Sequence, residues 1–476
     1  MKQIYNPYMP SWEYVPDGEP HVFEYKGEKR VYIYGSHDCW NGCVFCLGDF
    51  VCYSAPVTDL KNWRYEGIIY PRVGEDHCND DGRMVLYAPD VTQGPDGRFY
   101  IYYVYDKVGF VSVAVSDSPA GKYKFYGYVH YKDGTRLGEK EGDEPQFDPA
   151  VITEGNTTYL YTAFCGNHMK DRHGAMVTVL GKDMLTIEEA PVFVVPGDEY
   201  SKGTSFENHA FFEASSIRKF NDTYYFVYSS EVMHELCYAT SKYPTKDFVY
   251  GGVVISNCDM GISSYKPADM PAAYGANNHG GIEYINGDYY IFYHRHTNGT
   301  WYSRQGCSEK IQIGKDGKIT QAEITSCGLN GGPLLASPSV GEYPSYIVCN
   351  MFTDKPCPYV SGDKYPKVMQ DGGDGDENLG YIANITDNST FGFKYFNFDE
   401  IGDKETEFKI WVRGYANGEY EIKNTWDGKV LGKIKIEFEN VWREYSTKIV
   451  FPKGTHALYL TFKGNGCHQL RGFKFI

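Results

Sequence analysis

Five short apolar runs rich in tyrosine recur along the chain, each preceded by a lone polar or acidic residue. The runs are VYIYGS around Tyr32, FYIYYVY around Tyr100, TYLYTAF around Tyr159, YYFVYSS around Tyr225 and YYIFYHRH around Tyr290, about 59 to 68 residues apart. Roughly 10 to 15 residues upstream of each stands one candidate: Asp17, Asp90, Asp148, Glu213 and His279. A period near 65 residues that carries several short strands is the sequence signature of a propeller blade, a unit that buries its sheet faces only against its neighbours. Five repeats predict a five-bladed β-propeller.

Within each repeat the order is constant: the polar residue, a short strand, a turn, then the tyrosine strand. The turns are Lys26-Gly27-Glu28, Pro95-Asp96-Gly97, Glu154-Gly155-Asn156, Asn221-Asp222 and Asn286-Gly287. These residue types tolerate the positive φ of tight hairpins, so the first two strands of every blade should pair directly. The tyrosine stripes are expected to pack between blades. The stretch CGLNGGPLLASPSVG, 327–341, reads as a linker. Beyond it, alternating strands such as FKIWVRGY, VLGKIKIEFE and HALYLTFKG predict a β-sandwich (jelly-roll) domain. The expected all-β division is 1–328 for the propeller and 342–476 for the sandwich.

Composition supports this picture and narrows the function. The 476 residues include 44 Tyr, 27 Phe, 52 Gly and 23 Pro, a mixture that favours strands and turns. A net charge of −16 repels phosphate backbones, which argues against nucleic acid as a partner, and no apolar run approaches a membrane span. The opening MKQIYNPYMPSWEY lacks the pattern of a signal peptide, so a cytoplasmic protein is expected, or a secreted one if a leader was trimmed. Thirteen scattered cysteines fit reduced thiols. Cys39, Cys43, Cys46 and Cys52 hold one C-x-x-C, but no second pair stands at zinc-ligand spacing. The sequence does not define an oligomeric state.

The first strand of each blade lines a propeller's axis, so residues at its start converge on one funnel mouth. Asp17, Asp148 and Glu213 would then face one another, with Asp90 near them and His279 deeper. Grouped carboxylates raise each other's pKa and do acid–base work or hold a cation. Glycoside hydrolysis needs one carboxylic acid and one carboxylate; across a funnel the wider separation of about 6.5 to 9.5 Å, with a water between, predicts inversion. Taken singly the same residues have plainer readings: Asp148 could start a strand, Asp17 could belong to a turn, and His279 could be a satisfied loop histidine. Trp40, Phe147 and Trp301 are candidate sugar-stacking aromatics at the rim.

The first 330 or so residues resemble glycoside hydrolase family 43, through several motifs in order. The resemblance puts a general base on Asp17 in VPDGEPHVF, with Gly18 where the family has a second proline. It puts an acid-tuning aspartate on Asp148 in QFDPAVI and the general acid on Glu213 in FFEASSIRK. LYAPDV resembles the family's W-A-P segment, making Asp90 a funnel-lining substrate contact. NNHGG implies that His279 helps to hold a hydrated cation, often calcium, on the axis. SRQGC implies that Arg304 contacts sugar hydroxyls. No organic cofactor is implied. The second domain resembles carbohydrate-binding module family 6, without its usual paired glutamates; Trp411, Trp426 and Trp442 are platforms or core there, core being favoured for Trp411.

The expected function is that of an inverting exo-glycosidase releasing a terminal pentose from plant cell-wall oligosaccharides, foremost an α-L-arabinofuranosidase. The alternatives are a β-xylosidase or β-galactofuranosidase with the same trio, a retaining enzyme of the levan and sucrose type, and a non-catalytic sugar-binding propeller. Asp148 is expected to raise the pKa of Glu213 by like-charge repulsion.

Overall fold

The computed structural model describes residues 2–354, 365–377 and 379–476. Part of the expected second domain, 355–364 and 378, therefore lies outside the described residues.

Five antiparallel sheets follow one another along the chain. The first holds β1 (Glu19–Tyr25), β2 (Glu28–Tyr34), β3 (Phe50–Pro56) and β4 (Arg64–Tyr70); the second β5 (Leu86–Gln93), β6 (Phe99–Tyr105), β7 (Ser112–Ser116) and β8 (Lys124–Tyr128). The third holds β9 (Ala150–Glu154), β10 (Thr157–Thr162), β11 (Gly174–Leu180) and β12 (Ile187–Pro196). The fourth holds β13 (Phe211–Phe220), β14 (Thr223–Ser230), β15 (Glu235–Ser241) and β16 (Val249–Ser256). The fifth is shorter, with β17 (Ile282–Ile285), β18 (Asp288–Arg295) and β19 (Gln305–Ile311). The first two strands of every blade form the expected hairpin. Their turns place Lys26, Gly27, Gly97, Gly155, Asn221, Asn286 and Gly287 at positive φ.

The tyrosine runs are the second strands, and blade stacking explains their composition. In β6 all seven residues are buried, because both faces of the strand meet a neighbouring blade. Each blade junction has its own apolar cluster. Tyr34 and Tyr103 share one between blades one and two, Tyr102 and Leu160 the next, and Tyr161 and Phe226 the third. Val227 and Ile291 share the fourth. The ring closes where Ile4, Tyr8 and Val31 pack with Tyr290 and Phe292. The N-terminal segment seals that seam: Tyr8 donates its amide to the Gly306 carbonyl, and the Asn6 carboxamide bonds both Ser308 and Glu309.

The second domain is a ten-stranded sheet curled over an aromatic core that includes Phe393, Phe408, Phe473 and Phe475. Its two long strands, Glu405–Lys423 and Thr455–Phe475, pair from Phe408↔Phe475 to Lys423↔Tyr459. Burial along the start of the first strand alternates, as one-sided packing requires. Trp411 is half-buried beneath the Arg471 guanidinium instead of lying in the core. Within 327–341, Leu334 and Leu335 pair with Phe396 and Asn397, so that stretch is packed instead of loose.

The two domains are locked by a buried cation. Lys394 of the second domain is fully buried, with Nζ 3.1 Å from Asp259 and 3.3 Å from Glu323, and it sits 3.5 Å from the centre of the Tyr265 ring. The twelve described cysteines are all unpaired, and among the described residues no helix is long and apolar enough to cross a membrane.

Candidate active site

A repeated backbone kink builds the mouth of the funnel. Just before or at the start of the first strand, each of the first four blades places one residue in the left-handed region: Asp17 (φ 57°), Ala88 (27°), Asp148 (41°) and Ala214 (68°). Such conformations cost a non-glycine residue on the order of 1–2 kcal/mol, and they concentrate where a side chain must be aimed. Here they turn Asp17 and Asp148 inward, and in blade four they turn the preceding residue, Glu213, which sits on a bulge in β13.

The result is a cavity of about 350 Å³ to which every blade contributes. Its wall includes Asp17, Asp148, Glu213, His279, Arg304, Phe147 and Trp301, all singled out from the sequence. It also includes Phe45, Tyr87, Met233, Asn277 and Tyr302, which were not. Two candidates lie elsewhere. Asp90 is fully buried beneath the cavity, because it stands two residues after the kink at Ala88 and points down the axis; its carboxylate bonds His21 at 2.6 Å and the Val151 amide at 2.7 Å. Trp40 is held away from the cavity, with its amide donating to Asp374 of the second domain and its ring stacked on Tyr14.

The three carboxyls have three different environments. Burial would raise the pKa of Asp17, but the Arg304 guanidinium, 2.8 Å from Oδ1, outweighs it and holds the group well below the usual range. Arg304 is itself fixed by a bidentate bond to buried Asp38, at 2.8 and 3.0 Å, and it also meets the Cys46 sulfur. Four of its five N–H groups are thereby engaged, so Arg304 mainly holds Asp17. Asp148 accepts the Ala214 amide at 3.0 Å and lies 3.7 Å from His279 Nδ1. The Glu213 carboxyl has no hydrogen-bond partner among the described residues and faces the cavity.

With Asp17 kept ionised, its two neighbours resist ionising. Burial first, then the charge of Asp17, raises Glu213 to about 7 against the opposing pull of Arg304. Burial, then Glu213 and Asp17, also pushes Asp148 up. The repulsion expected between Asp148 and Glu213 thus falls on Asp148, while burial and Asp17 raise Glu213.

Below the cavity the axis is polar. Glu19 Oε2 accepts from Ser216 at 2.9 Å and from Arg218 at 3.0 Å, and Arg218 also lies 3.2 Å from His21. A Cβ on Gly281 would fall 2.6 Å from both Glu19 and Ser216, and one on Gly280 would collide with the Phe292 carbonyl. These contacts explain the two glycines after His279. The buried atoms here without a hydrogen-bond partner among the described residues include His279 Nε2 and Glu19 Oε1, which lie 3.9 Å apart, and Arg218 Nε. Burial holds His279 down at about 4, so its imidazole is neutral and able to ligate, while burial raises Glu19 to about 8 despite Arg218. An orphan carboxylate oxygen and an orphan imidazole nitrogen at that separation suit two positions around a hydrated divalent cation.

A five-bladed propeller with one strongly ionised carboxylate, one protonatable carboxyl and a third beside it defines the chain as a glycoside hydrolase. It belongs to the glycosyl hydrolases of family 43, whose family model matches residues 17–319. It is 62% identical, over 99% of its length and 98% of the relative's, to a xylosidase/arabinosidase of Thermoclostridium stercorarium. Among solved structures it is similar to a family 43 arabinoxylan arabinofuranohydrolase from Bacillus subtilis in complex with cellotetraose. The TM-score is 0.53, the identity 21%, and the match covers 99% of this chain and 97% of that one. It is also similar to a family 43 β-xylosidase/α-arabinofuranosidase from a compost microbial metagenome, in complex with xylotriose and in a calcium-free form. There the TM-score is 0.50 and the identity 24%, covering 66% and 96% of the two chains. At these identities the two structures speak to fold alone.

Of the residues that sequence reasoning passed over, Asp38 matters most. It sits in SHDCW, outside the repeated positions, so periodicity gave no reason to choose it.

Proposed function

We propose that the protein is an inverting exo-glycosidase that releases terminal pentose units, foremost α-L-arabinofuranosyl and also β-xylosyl, from plant cell-wall oligosaccharides. The observation that carries this reading is the division of labour among the three carboxyls. Asp17, ionised by Arg304, is the general base that takes a proton from water as the water attacks the anomeric carbon. Glu213, raised to about 7 and free of hydrogen bonds to the described residues, is the general acid that protonates the departing oxygen. Asp148 stands beside them in the same crowded site, and the Ala214 amide that it accepts fixes its carboxyl.

The dual name of the 62%-identical relative supports a pentose in the cavity. Calcium is part of the proposal: His279 and Glu19 would hold it with waters, and bound there it supplies positive charge beneath the cavity that keeps Glu19 ionised. A panel of nitrophenyl α-L-arabinofuranoside, β-xyloside and β-galactofuranoside tests the specificity. The first two should be turned over and the third should not; hydrolysis of the galactofuranoside alone would overturn the assignment.

A further inference from the structure

The general acid marks the side on which the leaving group departs, and on that side the rim carries a row of aromatic rings. Phe212 precedes Glu213, and its ring meets Phe164 at 5.4 Å; Phe164 in turn meets Phe147 at 5.6 Å, on the cavity wall. Phe164 and Phe212 are half-buried and lie outside the cavity lining. The Cys165 amide donates to the Phe212 carbonyl at 2.7 Å, which ties the segment after β10 to the start of β13.

The same edge continues outward. Gly197, at the end of β12, bridges to Phe211, and its amide donates to the His173 carbonyl at 2.9 Å. Around that junction three rings stand in contact: His173 lies 5.0 Å from Phe193 and 4.5 Å from Tyr200, with tilts of only 39° and 32°. They are not core residues, since Phe193 is 50% and Tyr200 43% exposed. Exposed aromatic groups gathered in one place are uncommon on a soluble surface and mark recognition sites. The flanking charges compensate one another, with Arg172 3.2 Å from Asp171 and His168 3.1 Å from Asp198. His173 itself is paired with Glu144, at 2.5 Å. Flat rings suit the C–H faces of pyranoses.

We propose that this track, from Phe212 and Phe164 out to Tyr200, His173 and Phe193, binds the leaving-group side of the substrate as a chain of several neutral sugar rings. It rests on the reading of Glu213 as the acid. Its consequence is that the enzyme favours longer uncharged chains over disaccharides and simple aryl glycosides.

The test compares the parent with the double variant Tyr200→Ala/Phe193→Ala, two exposed positions outside the catalytic cavity. Hydrolysis of nitrophenyl pentosides should agree within about twofold, which also reports an intact fold. On xylo-oligosaccharides of two to six units the parent should show kcat/KM rising with length. The double variant should lose roughly tenfold on the longest, through KM, a change equal to about 1.4 kcal/mol. Identical length profiles for the two proteins, or no rise in the parent, would overturn the track. Calorimetric binding of xylohexaose to Glu213→Gln, with and without the two alanines, gives the same comparison without turnover. If no pentoside is hydrolysed, the functional reading fails while this binding result still decides the track. Equal binding of an oligogalacturonate would refute its preference for neutral chains.

Discussion

Replacing Glu213 with glutamine should make the protein more stable at neutral and alkaline pH and leave its stability unchanged near pH 4. The carboxyl sits at about 7 in the folded chain against an ordinary value of 4.5, a displacement of about 2.5 units. At about 1.36 kcal/mol per unit that is at most about 3.4 kcal/mol, and because the group faces the open cavity we take about 1–3 kcal/mol. A carboxyl whose folded-state pKa is raised stabilises the fold fully below its unfolded value, and that contribution is lost as pH rises through about 7. Glutamine keeps the shape and removes the ionisation. In the variant Asp148 loses Glu213 as one cause of its rise and keeps burial and Asp17. Melting temperatures of parent and variant should therefore coincide near pH 4 and diverge at pH 9, with the variant higher. For the roughly 300 residues of the blades, an unfolding entropy of about 0.6 kcal/mol per kelvin makes the gap about 2–5 °C. The parent's kcat/KM should fall tenfold per pH unit above about 7, tracking the same proton. A gap independent of pH, or a variant less stable at pH 9, would refute the claim that Glu213 is a buried acid held protonated by its surroundings.

Three further outcomes follow from the geometry. Asp17→Asn should lower kcat by about 10²–10⁴, with little change in product affinity measured by calorimetry, because the base acts on water; a loss confined to KM would remove it from that role. Lys394→Met should destabilise the chain by about 3–5 kcal/mol, since it leaves Asp259 buried without its cation; an unchanged melting temperature would contradict the lock between the domains. Calcium at 100 times its dissociation constant should stabilise the parent by about 2.7 kcal/mol, and Glu19→Gln should abolish most of that gain; equal melting curves of the parent with calcium and with chelator would remove the axial cation.

The architecture was legible because a propeller repeats itself. The turns at Gly27, Gly97, Gly155, Asn221 and Asn286 and the doubly buried tyrosine strands recur at one period, and that period alone brings Asp17, Asp148 and Glu213 together. What periodicity hides is the offset within a repeat. Asp90 resembles Asp17 and Asp148 as an acidic residue near the start of a blade. Yet in blade two the kink falls on Ala88, so Asp90 takes the level of Glu19 and points down the axis. Trp40 failed for another reason: its position depends on Asp374, in a domain more than 330 residues away. Asp38, Phe45 and Tyr302 come from loops with no counterpart in other blades. A contact such as Asp38 to Arg304, 266 residues apart, leaves no local trace. Loops set on a regular scaffold carry much of a site's specificity and little of its pattern.

The measurement that bears most directly on the account is proton NMR of the first sugar released from a nitrophenyl or oligosaccharide substrate, recorded before mutarotation. Direct attack by water activated at Asp17, with Glu213 protonating the departing oxygen, predicts an initial product of inverted anomeric configuration. Initial release of the retained anomer would mean that a carboxylate forms a covalent intermediate, and the roles assigned to Asp17 and Glu213 would be wrong.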